Sequence, residues 1–215
     1  LWRQLDRRAA ADELVASYRR ALALDQASPQ LLQGEVFVFV PGWLYRSDSS
    51  TGADLARQAR LLASHGARVI HVNTDENGTV EANAARVVGE VRFAAAASRR
   101  VTLVSASKGG AEVALALSSL AHAGELDAVQ AWVNIGGTLR GTRLADLALS
   151  WPACWFVQVA VLKDGSFDAL RSLASAASAE RAAALLRPAR VRVINLIGVP
   201  LSGQVSERAR VGYRL

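Results

Sequence analysis

Methionine is absent from the 215 residues, even at position 1, and the chain holds one cysteine, five prolines and three histidines. The lone Cys154 excludes an intramolecular disulfide and any cysteine-based metal cluster. His65, His71 and His122 are too few and too scattered for a metal site, and no G-x-G-x-x-G or P-loop pattern occurs, so no metal and no organic cofactor is expected. No stretch approaches the roughly 18 apolar residues of a membrane span. The first 28 residues are amphipathic rather than signal-like, so the expectation is a cytoplasmic chain without stable membrane insertion. Acidic residues are outnumbered, 19 against 25 Lys and Arg, giving a net charge of +6 and a pI of about 10.4. The arginines nevertheless lie dispersed in pairs such as Arg7-Arg8, Arg19-Arg20 and Arg99-Arg100. Without aromatic interleaving they read as solvated surface, and no nucleic-acid partner is expected.

What is present is a folded composition, 51% hydrophobic and 20% charged, in a length suited to one α/β domain. Residues 1–28 have the apolar spacing of an amphipathic helix. Glu35 to Val40 is a continuous apolar run of the kind buried on both faces of a parallel sheet, stopped by Pro41-Gly42. A helix over 52–65 with Gly66 as its C-cap, a strand over 67–72, a turn at Asn77-Gly78 and a helix over 80–97 opened by Thr79 follow. Strands over 101–104, 128–135 and 191–197, with a helix over 109–123, continue the alternation. The expected class is α/β, a three-layer α/β/α sandwich with a mostly parallel sheet and its functional edge at the strand C-termini. Residues 140–188 interrupt the pattern with Trp151, Pro152, Trp155, Phe156 and a helical stretch over 166–187. They read either as a helical cap over the site or as a helix pair of the core.

The chemistry concentrates in Val101-Thr-Leu-Val-Ser-Ala-Ser107-Lys-Gly-Gly110. An apolar strand ends at a serine enclosed by small residues and turns into a helix. This is the nucleophile-elbow arrangement of the G-x-S-x-G type, with Ser105 in place of the first glycine, and it points to acyl transfer. The bland alternative is a small residue that permits close helix–strand packing.

Together with Val-Phe-Val-Pro-Gly-Trp at 38–43 and Val-Asn-Ile-Gly-Gly-Thr-Leu-Arg-Gly-Thr at 133–142, the elbow resembles the lipase and esterase branches of the α/β-hydrolase superfamily. The resemblance covers about residues 35–146. It implies Ser107 as nucleophile, the Lys108 backbone N–H as one oxyanion donor, and a second donor from the loop containing Gly42 and Trp43, with the Trp43 N–H preferred. It also implies an acid after the last strand or after the strand before it, where Glu207 and Asp146 stand; a surface role suits both at least as well. The catalytic histidine should follow the acid, yet no histidine lies beyond residue 122. His122 would sit about 20 Å from Ser107 at the far end of its helix. The missing methionine and a sheet that ends one strand early lead us to expect a further strand and a histidine-bearing loop after Leu215. The function implied is hydrolysis of a small-molecule or lipid ester through an acyl-enzyme. An acyltransferase or a non-catalytic binding protein on the same fold are the alternatives. An apolar pocket under Trp43, Tyr45, Trp151 and Trp155 is expected to take acyl or aryl groups.

Overall fold

The computed structural model describes residues 30–48, 51–98, 100–159, 167–185 and 190–197. The expected N-terminal helix over 1–28 and Glu207 lie outside the described residues. Five strands, β1 (Val36–Val40), β2 (Arg68–His71), β3 (Val101–Ala106), β4 (Val129–Ile135) and β5 (Arg192–Leu196), form one sheet in the order β2-β1-β3-β4-β5. Every neighbouring pair is parallel. Helices α1 (Ala56–Ser64), α2 (Val80–Ala97) and α3 (Lys108–His122) make the first three connections.

The Val-Phe-Val-Phe-Val run becomes β1 because both of its faces are covered. Val36, Val38 and Val40 pack with Val87 and Val91 of α2 and with Val113 and Leu117 of α3. Phe39 turns to the opposite face, with Ala59 of α1 and Val104. Helix α2 starts where Thr79 Oγ1 accepts the Ala82 N–H at 3.1 Å. Its buried stripe of Val80, Ala84, Val87, Val91 and Ala94 recurs every three or four residues. Gly66 ends the α1 segment with φ of 90°.

After β1 the chain moves outward to β2, then returns past β1 to lay down β3. The connections therefore diverge between β1 and β3, and a crevice opens outside the C-terminal ends of those two strands. Pro41-Gly42 leaves one wall of this crevice and Ser107 leaves the other.

Between β4 and β5 stand α4 (Arg143–Leu149), α5 (Ala153–Val157), α6 (Asp168–Leu173) and α7 (Ser175–Ala184). The core reading of this insertion holds for its inner half: Ala145, Leu170 and Leu173 bury against Val80 of α2 and Ala111 of α3, and the Ser172 hydroxyl accepts the Val80 N–H at 3.2 Å. The outer half stands in solvent, with Trp151 86% and Trp155 72% exposed, so among the described residues these two rings do not wall a pocket. The helix expected over 166–187 is broken at Ala174, which is extended (φ −58°, ψ 147°). The break follows from Asp146 of α4, whose carboxylate accepts both the N–H and the hydroxyl of Ser175 and so opens a second helix there.

Candidate active site

At the end of β3 the chain reverses through Ser107, which has φ 49° and ψ −118°. An L-residue held at positive φ stores about 1–3 kcal/mol and persists only where its surroundings enforce it. Here the Ser107 N–H donates to Ile135 O at 3.0 Å, and Ser107 O accepts the N–H of Gly110 at 3.0 Å and of Thr138 at 3.2 Å. Close packing is supplied by the glycines that follow. A Cβ on Gly109 would lie 2.6 Å from the carbonyl oxygens of Val40 and Pro41, and one on Gly110 would lie 2.8 Å from Gly137 Cα. Tight helix–strand contact thus accounts for Gly109 and Gly110. Among the described residues no hydrogen bond engages Ser107 Oγ. Ser105 is the contrast: fully buried, its hydroxyl accepts from Trp132 Nε1 at 2.8 Å and donates to Asn134 Oδ1 at 3.2 Å.

Lys108 is the first residue of α3, so its N–H has no intrahelical acceptor and sits at the positive end of a 15-residue helix. Across the crevice, the Gly42 N–H is committed to Ala53 O at 2.9 Å. Trp43 supplies the next N–H, which has no backbone acceptor among the described residues. Gly42 touches the serine directly, since a Cβ there would lie 3.2 Å from Ser107 Cβ. The loop that carries these groups is fastened to the segment after β2. Tyr45 OH donates to Thr74 O at 2.9 Å, the N–H groups of Arg46 and Ser47 donate to Glu76 Oε2 at 3.0 and 3.2 Å, and the Ser47 hydroxyl donates to Oε1. Partial burial pushes the Glu76 carboxyl up, but the bonds from Ser47 and Arg46 outweigh it and hold it below the usual carboxylate range.

Two polar networks were not anticipated. The Lys108 side chain is 2% exposed, and its Nζ lies 2.7 Å from Oε1 of the equally buried Glu112 and 3.2 Å from Asp75 O. Asn83 Nδ2 donates to the same Glu112 oxygen at 2.8 Å and to Asp75 O at 2.7 Å. Burial pushes the Glu112 carboxyl up, opposed by the Lys108 ammonium. The second network continues from Ser105 through Asn134, whose Nδ2 donates to Asn195 Oδ1 at 2.9 Å on β5. The available signal was polar residues on apolar faces: Lys108 and Glu112 four apart, and Asn83 inside the α2 stripe.

Of the anticipated acids, Asp146 spends its carboxylate on Ser175, whose hydrogen bonds hold it below the ordinary 3.8. The histidines lie away from Ser107. His71 stacks on Phe39 at 5.5 Å, two strands from β3 and so about 10 Å across the sheet. His65 Nδ1 bonds Leu61 O at the end of α1, and His122 Nδ1 bonds Ser118 O at the far end of α3. Among the described residues no group of three or more His, Cys, Asp or Glu is arranged for a metal ion, and no helix is long and apolar enough to cross a membrane. A cavity of about 510 Å³ opens at the ends of β4 and β5, lined by Asn134, Gly137, Thr138, Arg140, Asn195 and Leu196; Ser107, Lys108 and Trp43 are not among its lining residues.

No protein-family model matches the chain, and no curated protein matches it. Solved structures do. The metagenomic carboxyl esterase MGS0156 superposes with a TM-score of 0.66 at 24% identity, over 84% of this chain and 55% of that one. Bacillus licheniformis lipase BlEst2 in its propeptide form gives 0.57 at 23% identity, over 78% and 36%, and its mature form gives 0.56 at 22%, over 78% and 66%. The chain thus spans just over half the length of the esterase. The parallel sheet, its flanking helices and these likenesses define the α/β-hydrolase fold.

Proposed function

We propose that the protein is a serine carboxylic-ester hydrolase with Ser107 as nucleophile. The observation that carries this reading is the strained Ser107, its hydroxyl unengaged among the described residues, at the start of the helix that Lys108 opens and against the Gly42 loop that leads to Trp43. Ser107 Oγ would bond to the ester carbonyl carbon, and the resulting oxyanion would accept from Lys108 and Trp43; each such donor is worth about 10²–10³ in rate. Collapse would release the alcohol with the serine proton, and water would then cleave the acyl-enzyme. The names of the similar structures, a carboxyl esterase and a lipase, favour small-molecule or lipid esters.

Proton transfer requires a general base within hydrogen-bond reach of Ser107 Oγ, a place that none of the three histidines takes. That placement favours a second reading, a non-catalytic binding protein on this fold. A fluorophosphonate probe on the full-length protein separates the two. Labelling and turnover of short p-nitrophenyl esters, both lost in Ser107→Ala, are the expected result. Labelling that survives in Ser107→Ala removes this serine from the reaction, and a folded protein without turnover supports the binding reading. Product analysis with added alcohol distinguishes hydrolysis from acyl transfer.

A further inference from the structure

The buried Lys108–Glu112 pair has no part in the chemistry just described, although Lys108 supplies a candidate oxyanion donor from its own backbone. Two charged side chains, 2% and 1% exposed, are a costly way to fill a core, since apolar residues of the same volume would stabilise as well or better. One carboxylate oxygen, Glu112 Oε2, is buried without a hydrogen bond among the described residues. The pair therefore calls for a reason other than stability.

Its connections supply one. Lys108 Nζ and Asn83 Nδ2 converge on Glu112 Oε1 and on Asp75 O, while the Asp75 N–H returns to Asn83 Oδ1 at 2.9 Å. These contacts bind the first turn of α3 and the first turns of α2 to Asp75. The adjacent Thr74 O holds Tyr45 OH, two residues from Trp43. One candidate donor opens α3 and the other lies in the loop after β1, yet both are moored at residues 74–75.

Resting on the serine-hydrolase reading, we propose that Lys108, Glu112 and Asn83 are positioning residues that fix the distance between the Lys108 and Trp43 N–H groups across the oxyanion site. Removing this mooring should misplace donors that act on the transition state, while leaving substrate binding alone.

The test is the double variant Lys108→Met/Glu112→Leu in the full-length protein, which removes both charges and leaves neither unpaired. The expected result is a thermal midpoint close to that of the wild type, KM unchanged within twofold, and kcat lower by about tenfold or more. Affinity for a trifluoromethyl ketone, which adds to the serine and places an oxyanion in the site, should fall by the same factor as kcat. A folded double variant with wild-type kcat overturns the proposal. If the double variant does not fold, Asn83→Ala decides, because it removes the bonds of one proposed positioning residue to Glu112 Oε1 and to Asp75 while both charges stay paired. A kcat at least threefold lower at unchanged KM supports the positioning role, and wild-type kcat overturns it. Turnover that persists in Ser107→Ala overturns the serine reading, and this proposal with it, whatever the double variant shows.

Discussion

Adding one methyl group at Gly109 should damage the protein, and adding the same group at Gly89 should strengthen it. At Gly109 the new Cβ would stand 2.6 Å from two carbonyl oxygens, those of Val40 and Pro41, and 3.1 Å from Val40 C. All three are backbone atoms of the buried residues Val40 and Pro41 at the end of β1, so no side chain can swing away. Ordinary contact requires a retreat of roughly 0.7 Å, which must come from sliding α3 off β1. Overpacking of this kind costs about 1–3 kcal/mol, or roughly 2–12 °C in thermal midpoint for a chain of this size. The displaced turn carries Ser107 and the Lys108 N–H, and misplacement approaching 1 Å costs up to about 10² in rate, so ester turnover should fall roughly tenfold to a hundredfold. At Gly89, on the exposed side of α2, a Cβ would meet nothing within 4 Å. The substitution there should add about 0.5–1 kcal/mol through helix propensity and leave turnover unchanged. Denaturant titration of Gly109→Ala and Gly89→Ala, with initial rates on a p-nitrophenyl ester, measures both. A Gly109→Ala protein of undiminished stability would falsify the close approach of α3 to β1.

Ser107→Gly should be more stable than Ser107→Ala by about 1 kcal/mol, because both lack the hydroxyl and only alanine keeps the positive-φ strain; equal denaturation midpoints would remove strain from the account. Trp132→Phe withdraws the Nε1–H donor from the buried Ser105 hydroxyl and should lower stability by about 1–2 kcal/mol in urea, with a neutral result arguing against the bond. Asp146 titrates below the ordinary 3.8 when folded, so its contribution is present above that value and is lost as pH falls through the lower folded one. The difference in stability between wild type and Asp146→Asn should therefore be constant at neutral pH and shrink only below about pH 4; a difference that shrinks near neutrality would contradict the capping of Ser175 by this carboxylate.

The parts of this structure that local chemistry dictates could be read from the chain. Val36 to Val40 announces a doubly buried strand by having no polar face, Thr79 announces a helix start, and the small residues around Ser107 announce the sharp turn. Side chains that meet only in the fold could not. Asn83 and Glu112 lie 29 positions apart, and so do Asp146 and Ser175, so neither the buried ionic network nor the break at Ala174 has a local signature. Ser105 was legible as small but not as a hydrogen-bonded junction, because its partners Trp132 and Asn134 arrive from the next strand. Trp151 and Trp155 misled as pocket walls because an aromatic cluster looks the same in sequence whether its helix turns inward or outward.

No two neighbouring strands of this sheet are joined by a hairpin. Each pairing waits for chain at least about 30 positions further on, and β4 meets β5 only after about 60. A topology with so few local pairings predicts slow folding. Yet closure entropy grows only with the logarithm of the loop, so the insertion that carries α4 to α7 raises the cost of adding β5 by no more than about 0.7 kcal/mol over a connection half as long. In closure entropy the length of that insertion is almost free. Its solvent-exposed outer half can lengthen or shrink while Ala145, Leu170 and Leu173 hold the inner half on α2 and α3 and the sheet keeps its register.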